Sequence, residues 1–149
     1  HLRILSGMYG VLSPLDSIQP HRLEMGTPLT VQRKKNLYEF WSSTVTLHLK
    51  GVLADHQKKV LINLASNEYS KVVDFKALDA RVIQPVFKDL KNGRYKVLSF
   101  FAKKARGAML RCMAEQCMED PEELKGFNWE GYGFNRDLST DNEWVFTRE

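Results

Sequence analysis

The dipeptide Asn92-Gly93 constrains the fold of this chain more than any other feature. It lies, with Lys91 before it, between two strand-like runs, Arg81 to Leu90 and Arg94 to Phe100. An Asn-Gly in that setting favours the tight two-residue turn that closes an antiparallel hairpin. The second run leads straight into FFAKKARGAMLR, Phe100 to Arg111. Wound at 3.6 residues per turn, this segment puts Lys103, Lys104, Gly107 and Arg111 on one face with Arg106 on its flank. Phe101, Ala105, Ala108, Met109 and the following Cys112 share the other face. A hairpin strand is thus expected to fix the start of a helix with one face for a core and one cationic face. No acidic residue within the segment offsets like-charge repulsion at i, i+4 spacing. Two readings remain open, a solvated surface helix and a helix that faces phosphates.

The distribution of charge favours phosphates. Residues 1–111 hold 19 Lys and Arg against 8 Asp and Glu, whereas residues 112–149 hold 3 against 10, so the overall +4 conceals a strong polarity. A basic body can release counterions onto a polyanion, or the acidic end can neutralise it internally.

At 149 residues and 43% hydrophobic composition, residues 1–149 are expected to form a single domain with a real core. No apolar run approaches the roughly 20 residues needed to cross a bilayer and no signal peptide opens the chain, so a soluble, intracellular protein without membrane association is expected. Cys112 and Cys117 lie five apart on what reads as one helix. They would point in different directions and remain reduced. With no initiator Met and an apolar stretch right after His1, the chain is expected to be incomplete at its N-terminus, leaving apolar side chains near Leu2 to Leu12 uncovered.

Leu2 to Leu12 is too continuously apolar for its period to choose between helix and strand. Arg33 to Leu53 places Leu37, Phe40, Trp41, Thr44, Val45, His48 and Leu49 at helical spacing, with Gly51 near the expected end. Lys59 to Leu64 reads as a buried strand, followed by a helical turn over Glu68 to Val72. Asp120-Pro121-Glu122 starts a short helix that Gly126 stops, and Glu143 to Thr147 reads as a last strand.

INLASNEY, Ile62 to Tyr69, gathers Asn63, Ser66, Glu68 and Tyr69 around a strand end. Glu68 is the best candidate for a general acid or base, with Asp16 as a second. Against this stands a capping role for Ser66 and Glu68, although their spacing is two rather than the usual three. Arg22 and Glu24 either pair with each other or point into a cleft. The phosphate-loop, dinucleotide-binding, nucleophile-elbow and HExxH patterns are all absent, and the His and Cys spacings do not suit zinc or stored iron. Neither a metal nor a cofactor is expected. Trp41, Trp129, Trp144 and the phenylalanines read as core rather than as base-stacking platforms, and Tyr132 with Phe134 would be promoted only if exposed beside the cationic helix.

Three of these segments, SGMYGVLSPLDSIQPHRLEMG (Ser6 to Gly26), INLASNEY and SFFAKKARGAML (Ser99 to Leu110), with the closing GFNWEGYGFN and EWVFTR, resemble the YaaA peroxide-stress family. His21 departs from the tyrosine expected in its motif, which leaves stacking or hydrogen bonding possible but no phenol chemistry. The resemblance covers essentially the whole chain and implies that roughly the first two fifths of the family's length precede it. It implies a mixed α/β (α+β) fold, with a mixed sheet, a β-hairpin and packed amphipathic helices. It also implies a cytoplasmic DNA-binding stress protein with a basic cleft that protects against hydrogen peroxide and limits free iron. A helix-hairpin-helix motif would lie largely in the preceding part. Lys103, Lys104, Arg106, Arg111 and Arg22 would then contact double-stranded DNA. The alternative is an enzyme acting on a nucleobase or nucleotide, with Glu68 or Asp16 at the base of a closed pocket near the basic helix.

Overall fold

Leu2 to Leu12 is a small antiparallel hairpin in the computed structural model, which describes residues 1–149. Strand β1 (Ile4–Ser6) pairs with β2 (Gly10–Leu12), Ile4 opposite Leu12 and Ser6 opposite Gly10. Ser6 Oγ accepts from the N–H groups of Met8 and Tyr9 and so satisfies the turn. Gly10, at φ 75°, lies against the Trp41 ring, where a Cβ would come within 2.7 Å of a ring atom. Trp41 Nε1 in turn donates to Gly7 O at 2.9 Å. Leu2, Ile4 and Met8 are exposed.

Trp41 belongs to α1 (Leu37–Ala54). Asn36 caps this helix by accepting from Glu39 N, and the Glu39 carboxylate reaches back to Lys35 N. The helix starts four residues later than Arg33 because Val31 and Lys34 close a tight bridge around Gln32, at φ 54°. Leu37, Val45, Leu49 and Leu53 form its buried face, whereas Thr44 and His48 face solvent. Thr46 Oγ1 accepts from Asp74 N, docking a 3-10 turn (Phe75–Leu78). These elements, together with α2 (Asn67–Ser70), belong to one compact unit formed by His1–Lys59 and Ala65–Ala80.

The second unit, Val60–Leu64 and Arg81–Glu149, is built on a mixed sheet. Strand β3 (Val60–Ile62) runs parallel to β4 (Arg81–Lys91), which turns at Asn92-Gly93 into β5 (Arg94–Lys96). Both turn residues have positive φ, 55° and 71°, as the dipeptide dictated. Strand β5 is shorter than its apolar run suggested because helix α3 (Ser99–Glu115) begins at Ser99. Strand β6 (Gly133–Phe134) pairs antiparallel with β7 (Glu143–Arg148), and β7 runs parallel to β4 from Gln84 opposite Glu143 to Asp89 opposite Arg148. Alternation along β4 sends Ile83, Phe87 and Asp89 inward. Ile83 and Phe87 join Ala102, Ala105 and Met109 of α3 and Leu124, Phe127, Tyr132, Trp144 and Phe146 in one core.

Cys117 lies beyond α3, not on it with Cys112. It takes φ 49° just after the cap residue Gln116, and Met118 N closes the turn by donating to Met113 O at 3.2 Å. Both cysteines are free. The segment Pro121–Gly126 is a 3-10 helix with a full capping box between Asp120 and Glu123. No helix is long and apolar enough to cross a membrane.

Candidate nucleic-acid interface

Helix α3 buries Ala102, Ala105 and Met109 against the sheet, and this fixes where its cations point. Lys103, Lys104 and Arg111 are exposed, whereas Arg106 is half-buried. Arg106 Nε donates to Ala102 O at 3.2 Å and Nη1 to Leu64 O at 3.4 Å, so its guanidinium joins α3 to the strand end after β3. Desolvation pulls its pKa below the ordinary value. Arg111 Nε donates to Glu115 Oε1 at 2.7 Å. The acidic partner lacking between Phe100 and Arg111 is thus supplied one turn later, and its hydrogen bond raises the Arg111 pKa.

The acidic C-terminal segment neutralises selectively. Glu122 pairs with Arg81 and Lys125, and the Lys125 hydrogen bond holds its carboxyl below the usual range. Arg148 Nε donates to Asp89 Oδ1 at 2.8 Å, its Nη2 binds the same oxygen, and Nη1 reaches Glu130. Tyr132, fully buried, donates to Asp89 Oδ2 at 2.8 Å. Every strong acceptor of that buried carboxylate is therefore in use. Lys91, Arg94 and Lys96 on the hairpin and Lys103 and Lys104 on α3 are exposed, and none is in an ion pair. Lys104 Nζ sits 4.8 Å from the Phe100 ring centroid.

The remaining candidates lie on other elements. Glu68 is exposed, and its Oε1 accepts from Gly26 N at 2.9 Å, tying α2 to the loop after Met25. A Cβ on Gly26 would meet that oxygen at 2.9 Å. Tyr38 OH donates to Glu68 O. Burial first, and Glu68 second, raise the pKa values of Tyr38 and Tyr69. Ser66 precedes α2 but makes no side-chain cap hydrogen bond, so Glu68 acts as a long-range latch rather than as half of a capping box. Asp16 Oδ2 accepts from Ser13 N in a surface turn, and Arg22 faces Glu24 at 3.8 Å with both exposed. Asn63 Nδ2 donates to Gln84 Oε1 inside the second unit. An open depression of about 400 Å³ lined by Asn67, Ser70, Lys71, Val73 and Phe75 does not include Glu68. His21 packs edge-on to Tyr9, with ring centroids 5.1 Å apart, and its Nδ1 lies 3.0 Å from Gln19 O, a stacking and hydrogen-bonding use of the ring.

Two features escaped the sequence reading. The hairpin cations Lys91, Arg94 and Lys96 flank the Asn-Gly turn, and the run KNGRYK carries that signal openly. Phe100, read with the other phenylalanines as core, lies outside it. It is 66% exposed, whereas Tyr132 is core.

The family model described as "Peroxide stress protein YaaA" matches residues 1–138. A UPF0246 protein of Neisseria gonorrhoeae is 57% identical over 148 residues, which are 99% of this chain and 57% of the relative. UPF0246 proteins of Chromobacterium violaceum and Ralstonia nicotianae are each 55% identical, over 99% and 100% of this chain and 58% of their own lengths. The chain thus spans a little over half the length of these relatives.

Proposed function

Because the chain belongs to the peroxide stress protein YaaA family, we propose that it supplies a DNA-holding surface to a cytoplasmic protein of the hydrogen peroxide response. The surface is the β4–β5 turn and the first half of α3. The observation that carries this reading is the run of exposed, unpaired cations Lys91, Arg94, Lys96, Lys103 and Lys104 along one continuous segment, whereas Arg81, Arg111, Lys125 and Arg148 of the same unit are held in ion pairs. Lys103 and Lys104 also lie side by side on α3 with no carboxylate partner, so their like charges repel. An approaching phosphate relieves that repulsion. Contacts of this kind hold the backbone of double-stranded DNA without reading its sequence. Restraint of free intracellular iron and of oxidative DNA damage belongs to the same proposal at the level of the whole protein.

Arg106 and Arg111 take lesser parts, the first as a structural tie and the second as a cation shared with Glu115. Replacing Lys96 and Lys103 together by Gln tests the reading. Duplex affinity should fall while thermal unfolding stays put, because exposed cations contribute little to folding. Arg106→Gln should instead lower the unfolding temperature. Intact DNA binding in the double variant would refute the assignment.

A further inference from the structure

An exposed aromatic pair lies within the cationic surface. Phe100 is 66% exposed, and its ring meets that of Phe101 edge-on at 5.5 Å between centroids. Cations close both ends of the pair. Lys104 Nζ lies 4.8 Å from the Phe100 centroid, and the Arg148 guanidinium lies 4.5 Å from Phe101. Val97, just before the helix, is 55% exposed. The nearby carboxylates Asp89 and Glu130 are both held by Arg148, which leaves the cations beside Phe100 uncompensated. A large apolar ring in water among unpaired cations matches the two halves of an unpaired nucleotide, a π-face and a phosphate.

Resting on the DNA-binding reading above, we propose that Phe100 is a stacking platform for an unpaired base, with Lys96, Lys103 and Lys104 holding the flanking phosphates. The ligand class is single-stranded DNA, or a duplex locally opened so that one base leaves its stack. A paired base offers Phe100 no free face, so the ring discriminates between strand states while the cations do not. Phe101 backs Phe100 edge-on and is itself in contact with the Arg148 guanidinium, which gives the platform a supporting neighbour.

The test compares fluorescence anisotropy of a labelled oligothymidylate and of a duplex of equal length, using the 149-residue chain with Phe100→Ala and Phe100→Trp. Phe100→Ala should weaken the single strand roughly 5- to 150-fold and the duplex less than about twofold. Phe100→Trp should restore single-strand affinity, and its added indole should be quenched on binding. Equal losses for both DNA forms, or none for the single strand, would overturn the platform while leaving duplex binding standing. A change in oligomeric state with Phe100→Ala and unaltered single-strand affinity would assign the ring to a contact between copies instead. A wild-type chain that binds neither DNA would overturn the underlying reading itself.

Discussion

Arg148, Asp89 and Tyr132 show how much of this molecule is decided by single side chains. Asp89 is nearly buried, with its side chain 8% exposed, and survives there only because Arg148 and Tyr132 satisfy both oxygens. Arg148→Ala should therefore cost about 3–5 kcal/mol in urea unfolding, most of it the penalty of an unpaired buried charge. Tyr132 carries a pH signature. Its phenol is pushed well above the ordinary 10.0, chiefly by burial and then by the Asp89 carboxylate. Folding thus favours the neutral phenol, and that preference is fully expressed below about pH 10. As pH rises further, the unfolded chain ionises first and stability falls. Tyr132→Phe should make that alkaline decline shallower, at a cost of about 1–3 kcal/mol near neutrality because Asp89 Oδ2 loses its donor. None of this network was legible in the sequence. Asp89 and Arg148 are 59 residues apart and meet only through the parallel register of β4 and β7.

Elements whose signals are local were legible, and those that depend on distant partners were not. The Asn92-Gly93 turn, the Asp120 cap and the core face of α3 follow from chemistry within a few residues. The parallel pairing of β3 and β7 with β4 leaves no such trace, and the start of α1 was displaced by a turn around Gln32 that no Gly or Pro announces. The turn at Glu130-Gly131, with φ 47° and 84°, was hidden among aromatic neighbours. Helix α3 and the turn that ends it each carry one residue that runs against backbone preference. Gly107 is mid-helix with nothing within 4 Å of its Cβ position, so Gly107→Ala should stabilise by about 0.5–1 kcal/mol. Cys117 occupies the left-handed position after the helix that glycine fills without strain. Cys117→Gly should raise stability by about 1 kcal/mol, judged from the left-handed penalty. Denaturant titration of both variants checks the pair.

At the scale of the molecule, the division between a basic body and an acidic end was plain in the sequence, but its consequence was not. Neutralisation reaches Arg81 and Arg111 and stops short of Lys91, Arg94, Lys96, Lys103 and Lys104. Sequence spacing made Arg106 and Arg111 look equivalent to Lys103 and Lys104. Packing separated them, because a flank position on α3 lies within reach of Leu64 O and the turn after Arg111 brings Glu115 alongside. Candidate carboxylates followed the same logic. Glu68 and Asp16, which looked available for proton transfer, serve backbone N–H groups at Gly26 and Ser13. The central claim is that the unpaired cations face phosphates, and the salt dependence of duplex DNA affinity tests it most directly. Log affinity should fall linearly with log salt, and each Gln replacement among Lys96, Lys103 and Lys104 should reduce the magnitude of that slope by about 0.9. A slope that is unchanged by all three replacements would contradict the account and place the phosphate contacts elsewhere on the protein.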